Sequence, residues 1–351
     1  MKIAVLCSGG DAPGMNAAVH TVVKVGTGRG HTVLGVRRGY DGIFDEDVAP
    51  LQLHEVEGIS RMGGTMLGTA RCPRMLAPDG IAQSAAALDR LGVDGLVVIG
   101  GNGSLTGAHK LAAVWPKPIV GLPASIDNDL GHTMSIGVDT AVNTIVEACD
   151  RISDTARAHR RAFIVEVMGR NCGYLAMRSG LAVEADAILY AERDIDEETL
   201  ITKLRELLRR SFAPGRKKSR VLVVKAEGVK VPTARLVARL TEHLAEDAPG
   251  AAVRETVLGH VVRGGSPTAT DRVIAQRLAY AATLAVEAGQ RDVMATWDDP
   301  LKGGERTVDP SVRLIGLGDM LAETARILDG TSVVVKARLD LLSRVEDLLA
   351  L

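Results

Sequence analysis

The 351-residue sequence predicts an α/β protein built on open, doubly wound sheets. Three observations predict it. Short β-branched runs alternate with longer helical patterns along the chain. Aromatic residues make up only 3%, so the core has to be assembled from Val, Leu, Ile and Ala, which suits buried parallel strands. Glycine-containing loops recur at strand ends, where ligands bind in such sheets.

In order, KIAVLC (2–7) reads as a strand and is followed by a helical pattern over 17–25. HTVLGV (31–36) is a second strand, 80–92 an amphipathic helix and VDGLVVIGG (93–101) a buried strand. KPIVGLP (117–123) is another strand, 141–157 a long helix and AFIVEVMG (162–169) a strand. A helix over 198–210, a strand over 219–228 and a helix over 233–245 follow. ETVLGHVV (255–262) reads as the last central strand, covered by a helix over 271–289. The final stretch, 336–351, is an amphipathic helix expected to pack on the body.

Composition excludes several classes. Lys+Arg 42 against Asp+Glu 43 gives a net charge of −1, so no global field directs the chain to nucleic acid or an acidic membrane. Neither partner is expected. Cys7, Cys72, Cys149 and Cys172 show no CxxC spacing, which argues against zinc or a disulfide framework and for a reducing cytoplasm. The apolar run IAVLC is too short for a signal peptide, and no run reaches membrane-spanning length.

The chemistry concentrates in a few loops. SGGDAPGMN (8–16) sets Gly9 and Gly10 between a strand and a helix start, where bare N–H groups can approach phosphate oxygens. GGNGSLTG (100–107) makes the same kind of turn, and there is no GxxxxGK[ST]. In PASIDND (123–129), Asp127 and Asp129 lie two apart, so an extended segment would put both carboxylates on one face. Such a pair fits either a proton acceptor beside a cation ligand or an Asx-rich loop capping a helix. Arg71, Arg161, Arg170, Arg254, His260 and Arg263 all border loop or strand-end segments, and arginine matches phosphate with two parallel hydrogen bonds.

SGGDAPGMNAA, GGTMLGTAR, GGNGS, P-x-SIDND, VEVMGRNCG and TVLGHVVRGGSP, in that order over about residues 3–290, resemble the signature blocks of the 6-phosphofructokinase family of the bacterial ATP-dependent type. The resemblance implies two three-layer α/β/α domains with an active-site cleft between them. The larger, nucleotide-binding domain would be 1–137 plus 262–312, and the smaller, sugar-phosphate-binding domain 138–261 plus 313–351. It implies attack of the 1-hydroxyl of fructose 6-phosphate on the terminal phosphate of Mg-ATP. Asp127 would be the general base, Asp129 the carboxylate near Mg²⁺, and Ser125 (threonine in most of the family) the hydroxyl that seats the phosphoryl group. Gly9, Gly10, Arg71, Gly101, Asn102, Gly103 and Ser104 would surround the donor phosphates, with Tyr40 and Cys72 near base and ribose. Arg170 would support the transferring charge. Arg161, Arg254, His260 and Arg263 would clamp the 6-phosphate, while Met168, Gly169 and Glu227 hold the sugar. Arg161 and Arg254 would reach a neighbour's site, which implies a homotetramer or dimer.

Departures from the pattern are informative. Pyrophosphate-using relatives carry Asp at the position of Gly103 and Lys at that of Ala124; both are small here, which favours ATP over pyrophosphate. GGDGS is replaced by GGNGS, so Asn102 stands where a metal-holding acid is usual. The effector arginines are replaced by His20, Lys24 and Ser153, although Lys217 and Lys218 retain charge. Expected alternatives are a kinase of another ketose phosphate such as sedoheptulose 7-phosphate, a pyrophosphate-dependent enzyme, or a low-activity regulatory paralogue.

Overall fold

The computed structural model describes residues 1–349. The first half runs β1 (Lys2–Ser8), α1 (Met15–Gly28), β2 (Thr32–Val36), α2 (Tyr40–Phe44), β3 (Val48–Pro50), α3 (Gly80–Arg90), β4 (Gly95–Gly100), α4 (Asn102–Val114) and β5 (Ile119–Pro123). Next come α5 (Val138–His159), β6 (Arg161–Val167), α6 (Tyr174–Ala182), β7 (Ala187–Leu189), α7 (Glu197–Ser211), β8 (Arg220–Ala226), α8 (Thr233–Asp247) and β9 (Ala252–Val257). The chain closes with α9 (Ala269–Glu287), β10 (Val293–Trp297), β11 (Glu305–Arg306), β12 (Val312–Gly316), α10 (Leu317–Leu328) and α11 (Val333–Leu349).

These elements form two compact units: Met1–Thr140 with Arg263–Ser332, and Ala141–Val262 with the segment from Val333 onward. The first holds an eight-stranded sheet in the order β11-β12-β10-β5-β4-β1-β2-β3. Its five inner strands, β2 to β10 in that order, run parallel, and β3, β12 and β11 are antiparallel additions at the edges. β1 and β4 are buried along almost their whole length because helices cover both faces. Ala4, Leu6, Leu96 and Val98 face α4, α3 and α10 in one core cluster. Each fully buried Leu or Val contributes about 1.5–3 kcal/mol relative to exposure. The second unit is an all-parallel sheet, β7-β8-β6-β9, with Ala162, Ile164, Val221 and Val223 packed on α7 and α8.

The structure corrects two expectations. The strand read over 255–262 is β9, Ala252–Val257, on the edge of its sheet; Gly259–Arg263 is a 3₁₀ turn, and three further strands follow. Residues 313–332, expected in the smaller domain, belong to the first unit. β12 hydrogen-bonds to β10, and Leu317 and Met320 of α10 join the core that holds Leu105 and Leu111. These strands escape a sequence reading because VMATW and VRLIG are only five residues each, separated by a polar loop.

Candidate active site

In the first unit, strand order decides which loops meet. From β1 the chain proceeds one way to β2, whereas β4 lies on the other side, so the order reverses between β1 and β4. Loops diverge at such a point and leave a crevice at the carboxyl ends of the strands. Register then fixes the neighbours: Ser8 pairs Gly100, and Gly100 pairs Pro123. The glycine loop after β1, the GGNGS turn after β4 and the PASIDND loop after β5 therefore start side by side.

The glycine loop is tied down from outside. Gly9 adopts φ 88°, donates its N–H to the Ala70 carbonyl at 3.4 Å and accepts the Thr69 hydroxyl at 2.8 Å. That tether brings Arg71 to the loop, exposed and without an ion-pair partner among the described residues. Arg263 lies over Gly10, where a Cβ would sit 2.6 Å from Nη1, and Nη1 donates to the Asp11 carbonyl at 3.1 Å. α4 presents its N-terminus beside them, with Asn102, Gly103 and Ser104 in the first turn and no acid there. A Cβ at Gly103 would meet nothing within 4 Å, so space is open at that helix end. The free amides and helix dipole favour an anion.

Asp127 and Asp129 are both nearly buried, at 6% and 7% exposure. The extended geometry expected of them is corrected: Asn128 between them is left-handed at φ 50°, held by its Oδ1 accepting the Ser135 amide at 3.2 Å. Strand alternation therefore does not set their directions; the Asn128 turn does. Ser125 Oγ donates to Asp129 Oδ1 at 2.9 Å, and no other hydrogen bond to Asp129 occurs among the described residues. Its second oxygen is left for a cation. Mg²⁺ needs only one or two carboxylates plus substrate phosphates, and Asp129 fits that role. Among the described residues no cluster of three or more His, Cys, Asp or Glu offers an all-protein cage.

Tyr40, expected near base and ribose, lies against α4, and Cys72, expected there too, lies beside Asp41. Tyr40 is 3% exposed, donates its hydroxyl to the Ser104 carbonyl at 2.7 Å and lies against Gly107. It supports α4 from inside. Cys72 is half-buried; burial and then the Asp41 carboxylate push its thiol above the ordinary range.

In the second unit Met168, Gly169 and Arg170 follow β6, and Glu227 follows β8. Glu227 Oε1 accepts the amides of Gly169 at 3.1 Å and Arg170 at 2.6 Å, so its carboxylate first shapes this turn. Arg170 is left-handed at φ 51°, exposed, and has no side-chain ion pair among the described residues. Arg254 pairs Phe163 across β6 and β9, so Arg161, two residues before Phe163, shares its face of the sheet. His260 is exposed in the 3₁₀ turn. The roles of Thr69, Asn128 and Glu192 escape sequence reasoning, because their partners lie 60, 7 and 19 residues away; Thr69 and Asn128 fall inside motif blocks, and Glu192 in none.

A family model described as phosphofructokinase matches residues 2–286. The chain belongs to the phosphofructokinase family. It is 48% identical over 294 residues to the ATP-dependent 6-phosphofructokinase of Thermotoga petrophila, covering 84% of this chain and 88% of that one. Identity to ATP-dependent 6-phosphofructokinase 1 of Thermus thermophilus is 43% over 329 residues, 92% of this chain and 99% of that one. Among solved structures, phosphofructokinase from Saccharomyces cerevisiae matches with TM-score 0.84 and 32% identity over 97% of this chain, which spans 50% of the yeast chain. A pyrophosphate-dependent phosphofructokinase from Marinobacter aquaeolei, at 21% identity and TM-score 0.76, covering 91% of this chain and 84% of that one, shares the fold. The α/β class read from strand–helix alternation is thus the phosphofructokinase fold.

Proposed function

We propose that this phosphofructokinase family member transfers the terminal phosphoryl group of ATP to the 1-hydroxyl of fructose 6-phosphate, giving fructose 1,6-bisphosphate in glycolysis. The observation that carries the reading is the register Ser8–Gly100–Pro123, which aligns two anion-accepting turns with a loop bearing two buried carboxylates. Relatives at 43–48% identity bear the matching name. Asp127 accepts the hydroxyl proton as the new O–P bond forms and the bond to the ADP oxygen breaks. Gly10, the α4 N-terminus and Arg71 receive the donor phosphates, Gly9 turns the loop that presents them, and Arg170 stabilises charge on the phosphoryl oxygens. Mg²⁺, held by Asp129 and the donor phosphates, would supply charge neutralisation. The open space at Gly103 leaves room for a nucleotide.

A coupled assay tests this. ATP with fructose 6-phosphate is expected to turn over faster than ATP with sedoheptulose 7-phosphate or pyrophosphate with fructose 6-phosphate. A reversed preference would replace the reading, and turnover with none of the three would favour a regulatory paralogue. Asn102→Asp adds an acid to the α4 first turn, where none now stands. It is expected to lower the Mg²⁺ concentration for half-maximal rate and raise turnover; an unchanged Mg²⁺ titration contradicts the assignment of Asn102 to the metal.

Arg161 and Arg254 on one sheet face support a homotetramer or dimer in which they reach a neighbour's sugar phosphate. No helix among the described residues is long and apolar enough to cross a membrane, and we place the activity in the cytoplasm. A cavity of 540 Å³ lined by Arg157, Glu184, Asp186, Lys217, Lys218 and Arg220 is the place for an anionic effector. There, however, Lys218 pairs with Asp186, and Arg220 donates to Ser153 at 3.2 Å. ADP or phosphoenolpyruvate at millimolar concentration is therefore expected to shift the half-saturating fructose 6-phosphate concentration less than twofold, read from saturation curves with and without effector.

A further inference from the structure

The turn that carries Arg170 is held from three sides, and no motif announces the third. Glu227 takes the amides of Gly169 and Arg170. Glu192, in the 3₁₀ turn Ala191–Arg193, accepts the Gly173 amide at 2.7 Å, and Gly173 is the N-cap of α6. The turn is short and self-bonded, since the Cys172 amide donates to the Gly169 carbonyl at 2.8 Å. Its backbone is unusual, with Gly169 at φ 146° and Arg170 at φ 51°, a conformation that persists only where its surroundings impose it.

The third support comes from the C-terminal helix. Tyr174 is the first residue of α6, and the Arg338 guanidinium of α11 lies 4.6 Å from its ring centroid. On α11, Val335 and Leu342 are 3% and 1% exposed. They stand three residues before and four after Arg338, so the arginine occupies the helix's buried stripe rather than its solvent face. Among the described residues no carboxylate pairs with it. What it meets is the π-face of Tyr174, an attraction that strengthens as the pair is desolvated.

We propose that Arg338 is a positioning residue for phosphoryl transfer. Stacked on Tyr174 it fixes the first turn of α6, and through the Gly169–Gly173 turn it sets the direction of Arg170. The inference rests on the role given to Arg170 under Proposed function. It assigns α11 a task beyond covering apolar surface.

The test uses the full-length protein. Arg338→Ala is expected to lower kcat about three- to tenfold, because small misplacement of a charge-stabilising group is costly. KM for fructose 6-phosphate stays within twofold. Arg338→Lys, which keeps a cation over the ring, restores most of kcat. Tyr174→Phe behaves as wild type, and Tyr174→Leu reproduces the loss. In the ligand-free protein, amide hydrogen exchange across 169–174 quickens in Arg338→Ala and Tyr174→Leu but not in Arg338→Lys or Tyr174→Phe. Wild-type kcat in Arg338→Ala, equal losses in all four variants, or unchanged exchange over 169–174 each overturn the proposal. If Arg338→Ala does not fold, the two Tyr174 variants carry the same comparison. Wild-type protein without kinase activity would remove the functional reading while the exchange experiment still decides whether α11 holds the turn.

Discussion

Asp127→Asn is expected to lower kcat for phosphoryl transfer by about 10²–10⁴-fold, the range typical of a lost general base. The change is nearly isosteric at a side chain of 6% exposure, so packing is preserved. KM for ATP is expected to stay near wild type, because the proposed reading gives the donor phosphates to the glycine loop and the α4 N-terminus rather than to this carboxylate. The Ser125–Asp129 hydrogen bond at 2.9 Å does not involve Asp127 and should persist. Steady-state kinetics together with a thermal melt check this. A fall of less than tenfold in kcat with an unchanged melt would remove Asp127 as base.

The second large effect concerns folding rather than chemistry. Asp271, in the first turn of α9, is 0% exposed. Its carboxylate accepts the Gly137 amide at 2.8 Å, the Thr140 amide at 2.7 Å and the Thr140 hydroxyl at 2.5 Å. It thereby joins residues 134 and 131 positions away, closing the loop that follows the two aspartates onto α9. Asp271→Ala leaves two buried amides unsatisfied at about 1–3 kcal/mol each, so a loss of about 3–5 kcal/mol is expected. That is a large part of a typical total of about 5–15 kcal/mol. A drop in Tm of about 5–15 °C should accompany it, and a drop below about 2 °C would show the network to be dispensable. Burial pushes the Asp271 carboxyl above the ordinary carboxylate range, against the pull of the Thr140 and Gly137 donors. A raised folded value means its contribution is fully present below the unfolded pKa and declines as pH rises through the folded one. The gap between wild type and variant should accordingly be wider at pH 4 than at pH 7.

Part of the site is legible in the chain's residues and part is not. Glycine pairs after β-branched runs point to strand-end turns, because bare backbone readily adopts the φ of 88° found at Gly9. Ser125, Asp127, Asp129 and Arg170 fall in blocks that resemble one family, and the chain belongs to that family. That the Tyr40 hydroxyl bonds the Ser104 carbonyl is not legible in the sequence, because it joins residues 64 positions apart. A shared face for Asp127 and Asp129 is the default of extended chain; one left-handed residue, Asn128, cancels it. Glu192 and Asp271 carry no sequence signal at all, since they act on amides far away in the chain.

What the sequence by itself determined is local: which runs become strands, where backbone must be bare, and which acids and arginines are available. Those follow from periodicity and from the conformational limits of each residue type. Only the tertiary structure decided which strand ends lie side by side, that 313–332 joins the first sheet through β12, and that Arg338 meets Tyr174. Each of these is a contact across long stretches of chain. Such contacts are selected by the packing of whole faces against one another, a quantity that no short window of residues contains.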